Sequence, residues 1–158
     1  MKRKILAWAL LIAWMAIIFI FSHQPAIESN ELSTAITTKV VDAVIRLIPK
    51  ANINPAKLNH FIRKGAHFSV YLVLGSLTVN ALTSIDKFKP DSRRVQVFLI
   101  ALGICLVYAI SDEIHQVFIP GRSGEIRDVL LDSMGALAGI VIMTIIRVKC
   151  MGRSLRST

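Results

Sequence analysis

The chain has 158 residues, of which 54% are hydrophobic and 18% are charged, and this apolar share exceeds that of an ordinary soluble domain. Its net charge of +9 is compatible with binding nucleic acid, an anionic ligand or a membrane surface. The basic residues lie in short clusters between long apolar runs and are not interleaved with aromatic residues, which argues against nucleic-acid binding. We therefore expect the lipid bilayer to be the principal partner.

The first apolar run, residues 5–21, follows the basic residues Lys2, Arg3 and Lys4. Its length is at the lower limit for a helix that crosses a hydrocarbon core of about 30 Å. The residues after it lack the small-x-small pattern of a signal-peptidase site, and further apolar runs follow. The sequence therefore predicts an uncleaved membrane span.

The first loop carries an amphipathic helical pattern. Its apolar residues share one helical face: Ile36, Val40, Val44, Leu47 and Ile48. We expect this helix to end at Pro49 and either to lie in the membrane interface or to pack on the spans. Asn54 and Pro55 are typical of an N-cap followed by a first-turn proline, so another helix is predicted to begin there and to continue into the second span.

Three more apolar runs, residues 65–82, 95–119 and 129–146, are long enough to span a membrane as helices. The predicted fold is all-α: a single domain over residues 1–158, formed by a four-helix transmembrane bundle with the amphipathic helix in its first loop. Basic residues concentrate in the N-terminus, in the turn-rich loop around Pro90 and in the tail. This distribution predicts a multi-pass protein of the cell membrane with both termini cytoplasmic and the first loop extracytoplasmic.

Polar residues recur on single faces of the second and third spans. Lys64, His67 and Tyr71 follow the spacing i, i+3, i+7, and we expect their face to point into the bundle. In the third span, Tyr108, Asp112 and His115 share a face, and the neighbouring positions are also polar: Glu113 and Gln116. The polarity of the third span is thus confined to its last turns.

The fourth span places Asp128, Asp132, Gly135 and Gly139 on one face, after a tight turn that contains Arg122. The spacing of the two glycines is the small-x-x-x-small pattern that lets two membrane helices approach closely.

With both termini inside, the polar residues of all four spans, including Ser22 and Gln24 after the first, meet on the outer side. An ionised side chain near the bilayer midplane costs roughly 2.5 to 3.5 kcal/mol, so such groups face protein, water or a partner. We expect one shared chamber there. It is either a structural network, in which Lys64 and Arg122 neutralise Asp112, Glu113 or Asp132, or a ligand site.

Four motifs resemble the VanZ-like family: Ser22-x-Gln24, Lys64-x-x-His67-Phe68-x-x-Tyr71-x-x-Leu74-Gly75, Asp112-Glu113-x-His115-Gln116-x-Phe118-x-Pro120-Gly121-Arg122 and Asp128-Val129-x-x-Asp132-x-x-Gly135-x-x-x-Gly139. They occur in order and cover nearly the whole chain. Many members carry Asn where this chain has Asp132. The resemblance implies a bacterial cell-envelope membrane protein, in a family named for a protein associated with resistance to the glycopeptide teicoplanin.

The sequence supports two principal functional hypotheses. The first is a non-catalytic envelope protein that binds an anionic lipid-linked or peptidoglycan-related ligand. Its candidate ligand-binding residues are Ser22, Gln24, Lys64, Tyr71, Gln116, Arg122, Asp128 and Asp132. The second is a membrane hydrolase or transferase, although no recognised catalytic motif is present. Its candidate catalytic residues are His67, Asp112, Glu113 and His115.

Two further alternatives have weaker support. His67, Asp112, His115 and Asp132 have side chains that can ligate Zn²⁺, but nothing in their spacing requires it, and no metal site is assigned. Transport by proton relay would need a second polar station near the cytoplasmic side, which the apolar runs do not provide. The sequence identifies no cofactor and no oligomeric state.

Overall fold

The computed structural model of the chain describes residues 1–48, 52–88 and 93–154, with side chains described up to residue 149. Within these ranges the protein is helical, with no strand: α1 (Lys2–Ser22), α2 (Ala26–Leu47), α3 (Pro55–Thr83), a 3₁₀ turn (Asp86–Phe88), α4 (Arg94–Val117) and α5 (Ile126–Ser154). Pro49 and Pro90, which the sequence assigned to a helix end and a loop, lie outside the described residues.

Four helices are long and apolar enough to cross a membrane: Lys2–Ser22, Pro55–Thr83, Arg94–Val117 and Ile126–Lys149. The predicted number and order of spans is therefore confirmed. The third helix ends at Val117, slightly before the predicted residue 119, because the chain turns at Pro120 and Gly121. Gly121 has a φ of 75°, in the left-handed region that favours glycine.

The predicted start of the second spanning helix is also confirmed. The Asn54 side chain accepts hydrogen bonds from the backbone N–H groups of Ala56 (3.1 Å) and Lys57 (3.2 Å), and Pro55 occupies the first turn. The helix runs without interruption from this cap into the bundle. The residues of its first turns, which precede the apolar run, therefore belong to the same helix as those of the span.

Helices α3 and α5 form the closest contact in the bundle. A Cβ atom at Gly75 would overlap the backbone of Ala136, and Cβ atoms at Gly135 and Gly139 would overlap the backbone carbonyls of α3. Ser76 adds a hydrogen bond from its hydroxyl to the Gly139 carbonyl, at 3.2 Å. The close approach predicted from the glycine spacing is confirmed, with Gly75 as its counterpart on α3.

Helix α1 packs mainly on α3, and two side-chain hydrogen bonds to backbone carbonyls attach it to the bundle. The Trp14 indole N–H donates to the Val70 carbonyl at 3.0 Å, and the Tyr108 hydroxyl donates to the Met15 carbonyl at 2.6 Å. Since these carbonyls belong to helical turns, the bonds fix the rotation of α1 relative to both α3 and α4.

Helix α2 is the predicted amphipathic helix of the first loop, and it packs on α3 through polar contacts. Asn59 joins the two helices by accepting from the Thr37 hydroxyl at 3.2 Å and donating to the Asn30 side chain at 3.0 Å. Ile36 and Leu47 are more than half exposed. The helix therefore contacts the bundle along one side and leaves apolar residues uncovered along another.

Candidate functional site

The polar residues singled out in the sequence gather at one end of the bundle, here called the polar end. It comprises the end of α1, the first turns of α3 as far as Tyr71, the last turns of α4, the connection over residues 118–125 and the first turns of α5. Buried polar residues there include Ser22, Asp112, Glu113, Gln116 and Asp132.

Two pairs of side chains join α3 to α5, and each pairs a basic residue of α3 with an aspartate of α5. Lys64 forms an ion pair with Asp128, and both side chains are largely buried. One turn deeper, His67 Nδ1 lies 3.5 Å from a carboxylate oxygen of Asp132, whose side chain is fully buried. Lys64 is thus neutralised by Asp128, and not by the carboxylates of residues 112, 113 or 132 that the sequence suggested, because Asp128 is the carboxylate that α5 brings level with it.

A hydrogen-bonded network joins α1 to α4. Asp112 accepts from the Ser22 hydroxyl at 2.8 Å and from the Gln116 side-chain amide at 3.2 Å. The amide oxygen of Gln116 accepts from Arg122 Nη1 at 2.9 Å. Gln116 therefore lies between a carboxylate and a guanidinium and contacts both through its neutral amide.

Arg122 is bound by neutral acceptors. In addition to Gln116, it donates to the backbone carbonyls of Gln24 (2.9 Å) and Phe21 (3.1 Å). Neutralisation of a carboxylate by Arg122, as one sequence hypothesis had it, is not observed, since its donors are directed at the end of α1. Burial lowers the pKa of the Arg122 guanidinium, and the charge of Arg63 acts in the same direction. Arg122 nevertheless stays protonated at neutral pH.

The other two candidate catalytic residues, Glu113 and His115, form hydrogen bonds with residues other than His67. Glu113 accepts a hydrogen bond from the Glu125 backbone N–H at 2.7 Å, which fixes the connection before α5. His115 Nε2 lies 3.2 Å from His23 Nδ1, and its ring stacks on Phe19. The two histidines that the sequence placed in one chamber, 67 and 115, therefore face different surroundings.

Two cavities open at the polar end. The first, the apolar cavity, has a volume of about 390 Å³ and lies between α1, α2 and α3. Its lining is mostly apolar, with polar groups at one end, and includes Ile18, Phe21, Leu32, Ile36, Ile62, Val70, Ser22, Tyr71 and Asp112. The second, the polar cavity, has a volume of about 230 Å³. It is lined by His60, Lys64, Gln116, Ser123, Glu125 and Asp128, among others.

Three residues line both cavities: Arg63, His67 and Arg122. The cavities therefore adjoin, and their common boundary carries two guanidinium groups and an imidazole. Such an arrangement suits a ligand that has an extended apolar part and a charged group at one end.

The family model VanZ/LLP1 matches residues 7–147 of the chain. The chain belongs to the VanZ/LLP1 family. No curated protein and no solved structure gives a significant match. Family membership and four apolar helices together identify this VanZ/LLP1 chain as a multi-pass membrane protein.

In the VanZ/LLP1 protein, two residues that line the apolar cavity each carry a polar atom without a hydrogen bond among the described residues. Asp112 Oδ1 and the Tyr71 hydroxyl are buried without a hydrogen-bond partner in the described residues, and both residues line the cavity. Each of the two side chains acts electrostatically on the other. Since buried polar groups are normally paired, a ligand atom that donates to Asp112 Oδ1 would join this pair.

Sequence reasoning missed Arg63, His60 and the part of α2 that forms a wall of the apolar cavity. A signal existed for the first two: His60, Arg63 and His67 are spaced i, i+3, i+7, so they lie on one side of α3. For α2, the amphipathic pattern predicts an apolar face that includes Ile36, but its contribution to the cavity depends on how the helix folds back onto α3.

The metal hypothesis gains no support from this VanZ/LLP1 protein's geometry. Among the described residues, no group of three or more His, Cys, Asp or Glu side chains is placed to hold an ion. The four residues of that hypothesis are divided, since His115 pairs with His23 and His67 pairs with Asp132.

Proposed function

We propose that this VanZ/LLP1 protein binds an anionic lipid-linked ligand, whose apolar chain occupies the apolar cavity and whose charged group lies at the boundary with the polar cavity. The observation that carries the proposal is the meeting of the two cavities at Arg63, His67 and Arg122. An apolar slot alone would suit any hydrophobic molecule, whereas this boundary adds a position for an anion.

The apolar cavity offers side chains from three helices to a hydrocarbon chain. Phe21 comes from α1, Leu32 and Ile36 from α2, and Ile62 and Val70 from α3. Removal of apolar surface from water contributes roughly 25 cal/mol per Å².

The charge available to a ligand comes from two arginines. The side chain of Arg63 has no ion pair or hydrogen bond within the part of the chain that the structure describes, and Arg122 contacts neutral acceptors. Lys64, in contrast, is already paired with Asp128. Guanidinium groups bind phosphate or carboxylate through two parallel hydrogen bonds, which Arg63 can supply. Arg122 donates through Nε, Nη1 and Nη2 to protein acceptors and adds positive charge beside the head group.

The cell-envelope role follows from the direction in which the site opens. We propose that both termini are cytoplasmic, as the distribution of basic residues favours, so that the polar end faces outward. We propose that the ligand on that side resembles the lipid-linked precursors of the cell wall. Binding of such a ligand would account for an association of the protein with glycopeptide (teicoplanin) resistance.

Binding of farnesyl phosphate to the full-length protein in nanodiscs tests the proposal, with farnesol and inorganic phosphate as partial ligands. We expect farnesyl phosphate to bind at least tenfold more tightly than either. Arg63→Gln should weaken its binding at least tenfold, since a charged hydrogen bond contributes about 1.5 to 3 kcal/mol. Lys57→Gln, which removes an exposed cation of α3 outside both cavities, is the matched control and should have no effect.

Equal affinity for farnesol and farnesyl phosphate would contradict the proposal, as would unchanged binding by the Arg63→Gln protein. In cells, we expect expression of the protein to raise teicoplanin resistance, and the Arg63→Gln variant to raise it less than the Lys57→Gln variant.

A second candidate function, hydrolysis or group transfer at the ligand's phosphate, is favoured by the contact between His67 and Asp132. A buried carboxylate beside Nδ1 orients an imidazole, and the His67 ring borders both cavities next to the arginines. If this candidate holds, purified protein releases inorganic phosphate from farnesyl phosphate and water, and His67→Gln stops the release while binding persists. Equal release by the His67→Gln protein would exclude it.

A further inference from the structure

We infer that the head group of the ligand carries an ammonium group as well as an anion, and that Asp112 receives the ammonium while Arg63 and Arg122 receive the anion. This inference rests on the proposed function, because it concerns the same two cavities. It specifies the head group of the phosphate-bearing lipid, which would contain an amine in addition to the phosphate.

The first step is the pairing of charges at the polar end. Lys64 is paired with Asp128, and His67 lies beside Asp132. Asp112 instead accepts hydrogen bonds from the neutral side chains of Ser22 and Gln116. Within the described residues, Asp112 is thus a buried carboxylate of the cavity lining without a cationic partner.

The second step is the separation of Asp112 from Arg122. The Gln116 amide holds Arg122 Nη1 on its oxygen (2.9 Å) and Asp112 on its nitrogen (3.2 Å). A direct ion pair between the two is therefore not formed, although both residues line the apolar cavity. The negative charge of Asp112 and the positive charge of Arg122 can therefore each pair with a group of opposite charge on a ligand.

The third step is the cost of leaving Asp112 unpaired next to an anion site. A buried charge without a partner costs several kcal/mol, and a second negative charge nearby adds repulsion. A purely anionic ligand would pair with the arginines but would leave Asp112 without a cationic partner. A ligand with an ammonium group satisfies both, because one N–H donates to Asp112 Oδ1, which is buried and has no hydrogen-bond partner.

Two other carboxylates near the cavities do not serve this role. Glu125 lines the polar cavity but is exposed, so water solvates it. Glu113 is buried but lines neither cavity, and its Oε1 already accepts from the Glu125 N–H. A hydroxyl group on the ligand would donate a hydrogen bond to Asp112 without neutralising its charge, whereas an ammonium group would do both.

The test compares three short-chain lipids with identical chains: phosphatidylethanolamine, its N-acetylated derivative and phosphatidylglycerol. Binding is measured by titrating each lipid into the full-length protein, which is held in nanodiscs made from uncharged lipids. We expect phosphatidylethanolamine to bind at least tenfold more tightly than the other two, which lack the ammonium. Asp112→Asn should remove this preference, so that the three lipids bind with similar affinity.

Asp42→Asn, at an exposed position of α2, is the matched control and should keep the preference. Equal binding of the three lipids, lost on Arg63→Gln substitution, would overturn the ammonium inference and leave the proposed function intact. An equal loss of all three lipids in Asp112→Asn would also overturn it, because Asp112 would then be structural. If no phosphate-bearing lipid bound the unaltered protein, the proposed function itself would fail.

Discussion

Substitution of Gly139 by alanine tests whether the close contact between α3 and α5 stabilises the bundle. A Cβ atom at position 139 would overlap the carbonyl oxygen of Leu72. That atom belongs to the helix backbone and cannot move aside as the end of a flexible side chain can. The two helices must therefore separate, which also strains the Lys64–Asp128 ion pair that joins them.

The size of the effect follows from a matched comparison with Gly103→Ala on α4, where nothing lies within 4 Å of the added atom. Both substitutions gain the same intrinsic helix preference of alanine over glycine, about 1 kcal/mol, so this contribution cancels between them. Overpacking a well-packed contact costs typically about 1 to 3 kcal/mol. We expect the Gly139→Ala protein to be less stable than the Gly103→Ala protein by that amount.

Unfolding in mixed micelles, followed by far-ultraviolet circular dichroism, measures the two free energies. Gly135→Ala, which would overlap the carbonyl of Phe68, should resemble Gly139→Ala. Equal free energies of unfolding for the variants at positions 139 and 103 would refute the reasoning, because the overlap would then have no energetic consequence.

Three further outcomes are expected. Asn54→Ala should cost about 1 kcal/mol of stability by removing the N-cap of α3, whereas Asn52→Ala should cost little; chemical unfolding distinguishes them. A double-mutant cycle of Lys64→Ala and Asp128→Ala should give a coupling free energy of about 0.5 to 3 kcal/mol, and a value near zero would show that the observed pair contributes nothing. A reporter fused after Thr158 should be active only in the cytoplasm, and activity outside would reverse the proposed orientation.

The spans, the N-cap at Asn54 and the glycine contact could be predicted because each depends on residues close in sequence. Apolar length defines a span, an Asn-Pro pair defines a helix start, and a spacing of four residues places Gly135 and Gly139 on one face. The gathering of polar groups at one end was predictable for the same reason, since the polar residues lie at the ends of apolar runs.

The partners of the charged residues could not be predicted in this way. Spacing places Lys64 on the correct face of α3. The axial position of α3 relative to α5, however, determines that Lys64 pairs with Asp128 rather than with Asp132. The fold of the first loop likewise determines that α2 walls the apolar cavity and that Arg63 reaches both cavities. Sequence analysis assigned His115 to the chamber, whereas the rotation of α4 turns it towards His23.

The bonds of Arg122 to the end of α1 have a consequence for the order of assembly. Arg122 donates to the carbonyls of Phe21 and Gln24, about a hundred residues earlier in the chain. During synthesis these carbonyls emerge long before their partner exists, and they stay without it until α4 has been inserted and the turn after it has formed. The polar end is therefore completed only after the last third of the polypeptide has been synthesised. A truncated chain would insert its early helices but would lack the complete cavity.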